Sequence, residues 1–168
     1  NIMTLIRFFV VLIYPKIEYA GVVWIPHYAS YIGLLERVQR RFLKYLCFRS
    51  DGVYYPVGVA QSTLLKRFSL KGFLVRNMSS IAQFLFKLVN NVIDCSDLLE
   101  IIIFHHSIRC SVFCETLLFY LPKPRTDYLK YSPVYKMYSL GNAVYKEVDI
   151  FNGSIHCMKH IDIGDMHH

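Results

Sequence analysis

Arg37, Arg40, Arg41 and Lys44 stand at i, i+3, i+4 and i+7 within the stretch from Ala29 to Phe48. On a helix of 3.6 residues per turn, that spacing puts four cations on one face. Cations one turn apart can each meet a phosphate, so the chemistry on offer is neutralisation of a polyanionic backbone. Arg49, Lys66, Arg67, Lys71 and Arg76 can extend the patch. The plainer reading is a solvated charged face with no ligand. Trp24, Tyr28 and Tyr31 could stack on bases, although packing in a core or an interface is the commoner use of such residues.

Catalytic groups are harder to find. Template-directed polymerisation needs clustered carboxylates holding two divalent metals. The aspartates stand at 51, 94, 97, 127, 149, 162 and 165, never as an Asp-Asp pair and mostly beside caps and turns. No catalytic residue and no polymerase activity are expected. The nucleophile elbow G-x-S-x-G and the phosphate loop G-x-x-x-x-G-K-[ST] are also missing. Cys110 with Cys114, and His156 with His160, have a spacing that could serve a Cys2His2 zinc site. The span between the two pairs is roughly three times that of a zinc finger. Ordinary thiols and imidazoles are therefore expected, with no metal and no cofactor.

The elements that must carry these residues read as helices. An apolar helix is expected from about Thr4 to Tyr14. Pro15 either kinks it or starts a second helix that ends near Trp24, because Pro26 turns Ile25 away from helical dihedrals. Ile17, Ala20, Gly21 and Trp24 would share one face. In the third helix, Ala29 to Phe48, the spacing predicts an apolar stripe of Tyr31, Leu34, Leu35, Val38, Phe42, Tyr45 and Leu46. Asp51-Gly52 and Tyr55-Pro56 mark a loop. A short helix follows at about Ser62 to Phe68. Ser69 is placed to cap a long helix from Leu70 to Asn90, with Leu70, Phe73, Leu74, Asn77, Ile81, Phe84, Leu85 and Leu88 inward. Asp94 or Ser96 caps a helix from about Asp97 to Phe104. Cys110 to Leu121 is strand or loop, Pro122-Lys123-Pro124 a rigid connector, and Ser132-Pro133 opens a helix to about Tyr145. The fold class is all-α: helices over 1–104, a less regular extension with one helix over 105–151, and a frayed tail over 152–168.

Composition sets the outer bounds. The 168 residues are 54% hydrophobic and 18% charged, which is too apolar for disorder. A mean hydropathy of +0.32 is high for a free-standing domain, so part of the surface is expected to meet a membrane or a partner. The net charge of +7 and isoelectric point near 9.2 favour polyanions. Five cysteines without framework spacing point to reduced thiols in an intracellular protein, nuclear or cytoplasmic. Residues 8–25 are long enough to span a bilayer, but they contain Pro15, Lys16 and Glu18, which are costly in hydrocarbon. Membrane insertion is therefore not the favoured reading. Asn1 in place of Met points to a fragment or a trimmed open reading frame.

Several passages resemble one family. Pro15, Ile17-Glu18-Tyr19-Ala20, Val22-Val23-Trp24 and Pro26, then Glu36-Arg37-Val38-Gln39-Arg40-Arg41-Phe42, look like the segment after the polymerase core of non-LTR (LINE-type, jockey-like) retrotransposon reverse transcriptases. The likeness continues in order through Leu65 to Leu70, Arg76, and Val92 to Leu99 with Asp94. It extends through Arg125-Thr126-Asp127-Tyr128, Ser132-Pro133-Val134, Met137, Asn142 and Asp149-Ile150-Phe151. Each piece alone is weak; their common order and spacing carry the resemblance. Lys136, Asn77 and Phe73 stand where the family has other residues, as in a drifted copy.

The resemblance implies a thumb-like helical bundle that supports primer and template during target-primed reverse transcription. Its implied partners are nucleic acid, namely RNA template and DNA primer, and the missing polymerase palm region, with no small-molecule substrate. The alternatives from other classes are a small membrane-associated protein anchored by residues 2–25 and a protein-interaction module.

Overall fold

The computed structural model describes residues 1–24, 26–52, 59–105, 117–146 and 150–151. They are mostly helical with no strand among them, so the chain is all-α. Contacts group into two compact units, Asn1–Asn77 and Met78–His168. The tail expectation for 152–168, the loop at 53–58 and most of the Cys110–Leu121 stretch lie outside the described residues.

Pro15 shapes the start of the first unit. α1 (Ile2–Phe8) passes through a π-helical turn, Phe9–Ile13, into α2 (Tyr14–Glu18). Proline has no N–H, and its ring crowds the carbonyl four residues earlier. A wider turn, with the Tyr14 N–H reaching back to the Phe9 carbonyl, relieves that crowding within a continuing helix. The expected second helix, by contrast, stops at Glu18. Ala20 takes a φ of +53°, and a single turn, α3 (Gly21–Trp24), follows. The supposed face of Ile17, Ala20, Gly21 and Trp24 is broken by that turn. The Trp24 indole N–H donates to the Tyr19 carbonyl across it.

α4 (Ala29–Asp51) is the longest helix. Gly52 ends it in the left-handed region at φ +70°, its N–H donating to the Phe48 carbonyl. The buried face is Gln39, Leu43, Leu46 and Cys47. Tyr31, Leu34, Val38 and Tyr45, expected inside, are exposed. The inward face is therefore rotated by about a quarter of a turn from the hydrophobic stripe. Two partners set that rotation. The Phe9 ring stacks on Phe42 at 3.8 Å, holding it to one side. α5 (Gln61–Arg67) brings Leu64 against Leu43 and Cys47, with Val59, Leu65, Phe68 and Leu70 around them.

Ser69 does not cap the following helix; it ends α5. It sits at φ +52°, its N–H donates to the Lys66 carbonyl, and the Leu70 N–H reaches the Leu65 carbonyl. This paired arrangement satisfies the last carbonyls of a helix and usually carries an apolar contact from the residue beyond, here Leu70. α6 consequently begins at Phe73 and runs to Val89. Its far end repeats the device with Asn91 at φ +54° and Val92 bonded to the Lys87 carbonyl. The predicted inward set holds for Phe73, Asn77, Ile81, Leu85 and Leu88; Ser79, Ala82 and Phe86 are buried too.

In the second unit, α7 spans Ser96–Ile101, and neither Asp94 nor Ser96 acts as its side-chain cap. A one-turn helix, α8 (Asp127–Lys130), follows Thr126, whose hydroxyl accepts from the Leu129 N–H. α9 (Pro133–Tyr145) starts where expected, with Ser132 Oγ accepting from the Tyr135 N–H. The core of this unit is Phe119, Met137, Tyr138, Leu140, Val144 and Ile150 around Leu85 and Leu88. Asn142 latches it: its Oδ1 accepts from the Phe119 N–H at 2.8 Å and its Nδ2 donates to the Phe119 carbonyl at 3.0 Å. Asn90 similarly donates to the Ile150 carbonyl. These side-chain amides pair backbone groups that would otherwise be buried without partners.

Candidate nucleic-acid interface

The cationic face of α4 points to solvent. Arg37, Arg40 and Arg41 are exposed, Lys44 is half-buried, and Arg49 is exposed in the last turn. The Arg40 Nε donates to Gln61 Oε1 at 3.2 Å, so the N-terminal end of α5 lies along one edge of this face. At the other end of α5, Arg67 forms a two-bonded fork with Asp51 at 2.7 Å. Among the described residues, Arg37, Arg41, Lys44, Arg49 and Lys66 have no acidic partner. The face therefore gathers the sequence-predicted cations of α4. Arg67 is held in an internal pair.

A buried polar cluster braces α4 from behind. Gln39 is 2% exposed; its Nε2 donates to the Tyr14 hydroxyl at 2.7 Å and to the Lys71 carbonyl at 2.9 Å. The Arg76 guanidinium lies 3.6 Å above the Tyr14 ring and forks onto both Glu18 oxygens at 2.6 and 2.8 Å. Burial pushes the Tyr14 hydroxyl above its ordinary range, partly offset by Arg76 and by the bond from Gln39. Polar groups in so little water are costly without partners, and among the described residues Gln39 Oε1 is the buried side-chain atom left without one. Arg76, read from sequence as an extension of the basic patch, is a structural cation here. Tyr14 was missed as a hub; a lone polar tip in an apolar run just before proline is the only signal that could have marked it.

The other residues of the resemblance have local tasks. Pro15 lies in the first turn of α2, and Phe42 stacks on Phe9. Tyr19 is exposed and supplies the carbonyl that Trp24 bonds. Pro26 and Trp24 border a shallow apolar groove with Tyr31, Leu34 and Leu35. Glu36 is half-buried on α4. Asp94 and Arg125 are exposed, Thr126 caps α8, and Tyr128 stands almost wholly in solvent. Ser132 and Pro133 open α9.

A second apolar groove of about 400 Å³ lies between the π turn and α4, lined by Phe8, Phe9, Leu12, Val38 and Phe42. Phe8, Val11, Leu12 and Val23 are exposed nearby in sequence.

No group of three His, Cys, Asp or Glu side chains gathers into a metal site among the described residues. Cys110, Cys114, His156 and His160 lie outside them. Cys47 is buried, and burial raises its thiol pKa, which favours the unreactive protonated form. Among the described residues no helix is long and apolar enough to cross a membrane, which removes support for an anchor at residues 2–25. No protein-family model, curated protein or solved structure matches the chain.

Proposed function

We propose that the chain is a non-catalytic part of a non-LTR retrotransposon reverse transcriptase, the region after the palm, and that α4 supports primer and template in the parent enzyme. The observation that carries the nucleic-acid part is the row of cations on the exposed side of α4, without acidic partners among the described residues. The parentage rests on the ordered sequence resemblance. It draws further support from the meeting of Glu18, Gln39 and Arg76, three positions within that resemblance, around Tyr14. In this reading the palm region of the polymerase covers Phe8, Val11, Leu12 and Trp24.

Binding is expected to be weak, sequence-independent and steeply salt-dependent, since each Arg or Lys contact releases counterions. The test is titration with labelled oligonucleotides at rising salt, using the parent and the Arg37→Gln/Arg40→Gln/Arg41→Gln/Lys44→Gln variant. Loss of most binding in the variant supports the reading; equal binding, or none by the parent at low salt, overturns it. With primer, template, nucleotides and Mg²⁺, the isolated chain is expected to extend nothing.

A protein-interaction module is the second reading. The exposed apolar strip of Phe8, Leu12, Leu34 and Val38 favours it, because contiguous apolar surface of this kind marks interaction sites.

A further inference from the structure

The rotation of α4 leaves an apolar edge of that helix uncovered, and both apolar grooves of the first unit lie along it. The first is bordered by Tyr31, Leu34 and Leu35. The second runs between Leu5, Phe8 and Leu12 on one side and Val38 and Phe42 on the other. On α4 these residues recur at i, i+3, i+4, i+7 and i+11, one edge of a helix about 16 Å long. Phe8 is 57% exposed, Leu12 52%, Leu34 50% and Val38 44%. The rim of this edge is cationic. Arg37 and Arg41, three residues beyond Leu34 and Val38, lie about 60° farther round α4, and both are exposed. No carboxylate near the grooves offsets them among the described residues. Ile2 to Ile17 contains no Asp or Glu, and Glu18 is forked with Arg76. Glu36 is half-buried and, two residues before Val38, falls on the other side of the helix.

We infer that the two grooves dock one amphipathic helix of a partner protein, its apolar ridge against Phe8, Leu12, Leu34 and Val38 and a row of Asp or Glu on one flank facing Arg37 and Arg41. The inference rests on the protein-interaction reading above and names the chemistry of the partner. A groove between two helices takes a third through side chains at i, i+3, i+4 and i+7. An uncompensated cationic rim selects an acidic flank, because like charges set face to face are strongly disfavoured. A second copy of the chain does not supply such a helix. α6 and α9 contain no Asp or Glu. The helical run from Ile2 to Glu18 has only Glu18, held by Arg76, and α4 has only Glu36 and Asp51, the latter held by Arg67. Lipid is met by an apolar side that faces outward, whereas Phe9 and Phe42, stacked on each other, lie recessed at the base of the second groove.

The test uses the full chain and a fluorescently labelled helical peptide of about 18 residues, with Leu at i, i+3, i+4 and i+7 and Glu along one flank, followed by anisotropy. A second peptide carries Lys in place of Glu. The Glu peptide is expected to bind about tenfold more tightly than the Lys peptide. Phe8→Ser with Val38→Ser should abolish its binding; both side chains are exposed, and circular dichroism checks that the helices are intact. Arg37→Glu with Arg41→Glu should reverse the preference between the peptides, whereas Arg40→Gln with Lys44→Gln, farther round α4, should preserve it. Equal binding of both peptides, lost in the Phe8→Ser/Val38→Ser variant, overturns the acidic partner while the interaction reading stands. Binding of neither peptide overturns the inference. Sedimentation and phosphatidylserine vesicles then decide whether a second copy or a lipid surface covers the face, and if neither does, the interaction reading falls with it.

Discussion

Glu18 and Arg76, 58 residues apart in sequence, join in a two-bonded fork that tucks the guanidinium against the face of Tyr14. The Glu18 side chain is 19% exposed and that of Arg76 25%. Water screens such a pair poorly, and neither charge has an inexpensive alternative if its partner is removed. The pair ties the end of α2 to the start of α6, while Gln39 on α4 grips the same tyrosine. Three helices of the first unit thus share one polar hub.

The hub predicts strong coupling. Glu18→Gln and Arg76→Met are each expected to cost about 1–3 kcal/mol in urea unfolding, from the stranded partner and the lost bonds. The double variant should cost clearly less than the two added together. Additive losses would mean that the fork contributes no interaction energy of its own.

The raised Tyr14 pKa predicts an alkaline limit. The unfolded phenol ionises near 10.0, whereas burial holds the folded one protonated to higher pH. The folded state then binds the proton more tightly, so this contribution is complete below the unfolded value and fades as pH rises through the folded one. Tyr14→Phe should be less stable at neutral pH, through the bond lost from Gln39, yet show a flatter decline above pH 10 in unfolding followed by circular dichroism. An unchanged alkaline slope would remove Tyr14 as its source.

Gly141 gives a prediction of sign. In an open helix, glycine to alanine stabilises by about 1 kcal/mol. Here a Cβ would stand 2.6 Å from Leu85 Cδ2 and 2.6 Å from the Phe119 ring, too close for ordinary contact. Gly141→Ala should therefore destabilise by about 1–3 kcal/mol through overpacking. A rise in melting temperature would show that Phe119 and Leu85 yield at little cost.

Local chemistry made much of the fold legible in the sequence. Ser132-Pro133 marked the start of α9, and α6 ends within a residue of the expected Asn90, because caps and left-handed turns act over a few residues; α4 runs past its expected end at Phe48 to Asp51, into the segment read as loop. The all-α class and most of the inward face of α6 followed from helical periodicity. The cations of α4 could be assigned to one face on the same grounds.

Tertiary packing decided what periodicity could not. The hydrophobic stripe of α4 pointed to Tyr31, Leu34, Val38 and Tyr45, but Phe9 and Leu64 claimed a neighbouring face, and the helix turned to meet them. Ser69 had two possible tasks, and closing α5 over the Leu43–Cys47–Leu64 cluster won over capping α6. Arg76 and Arg67 looked equivalent to the other cations until Glu18 and Asp51 reached them across the fold. A sequence determines which faces and caps a segment can offer. Which of them is used depends on partners tens of residues away, whose burial energy exceeds the local preferences.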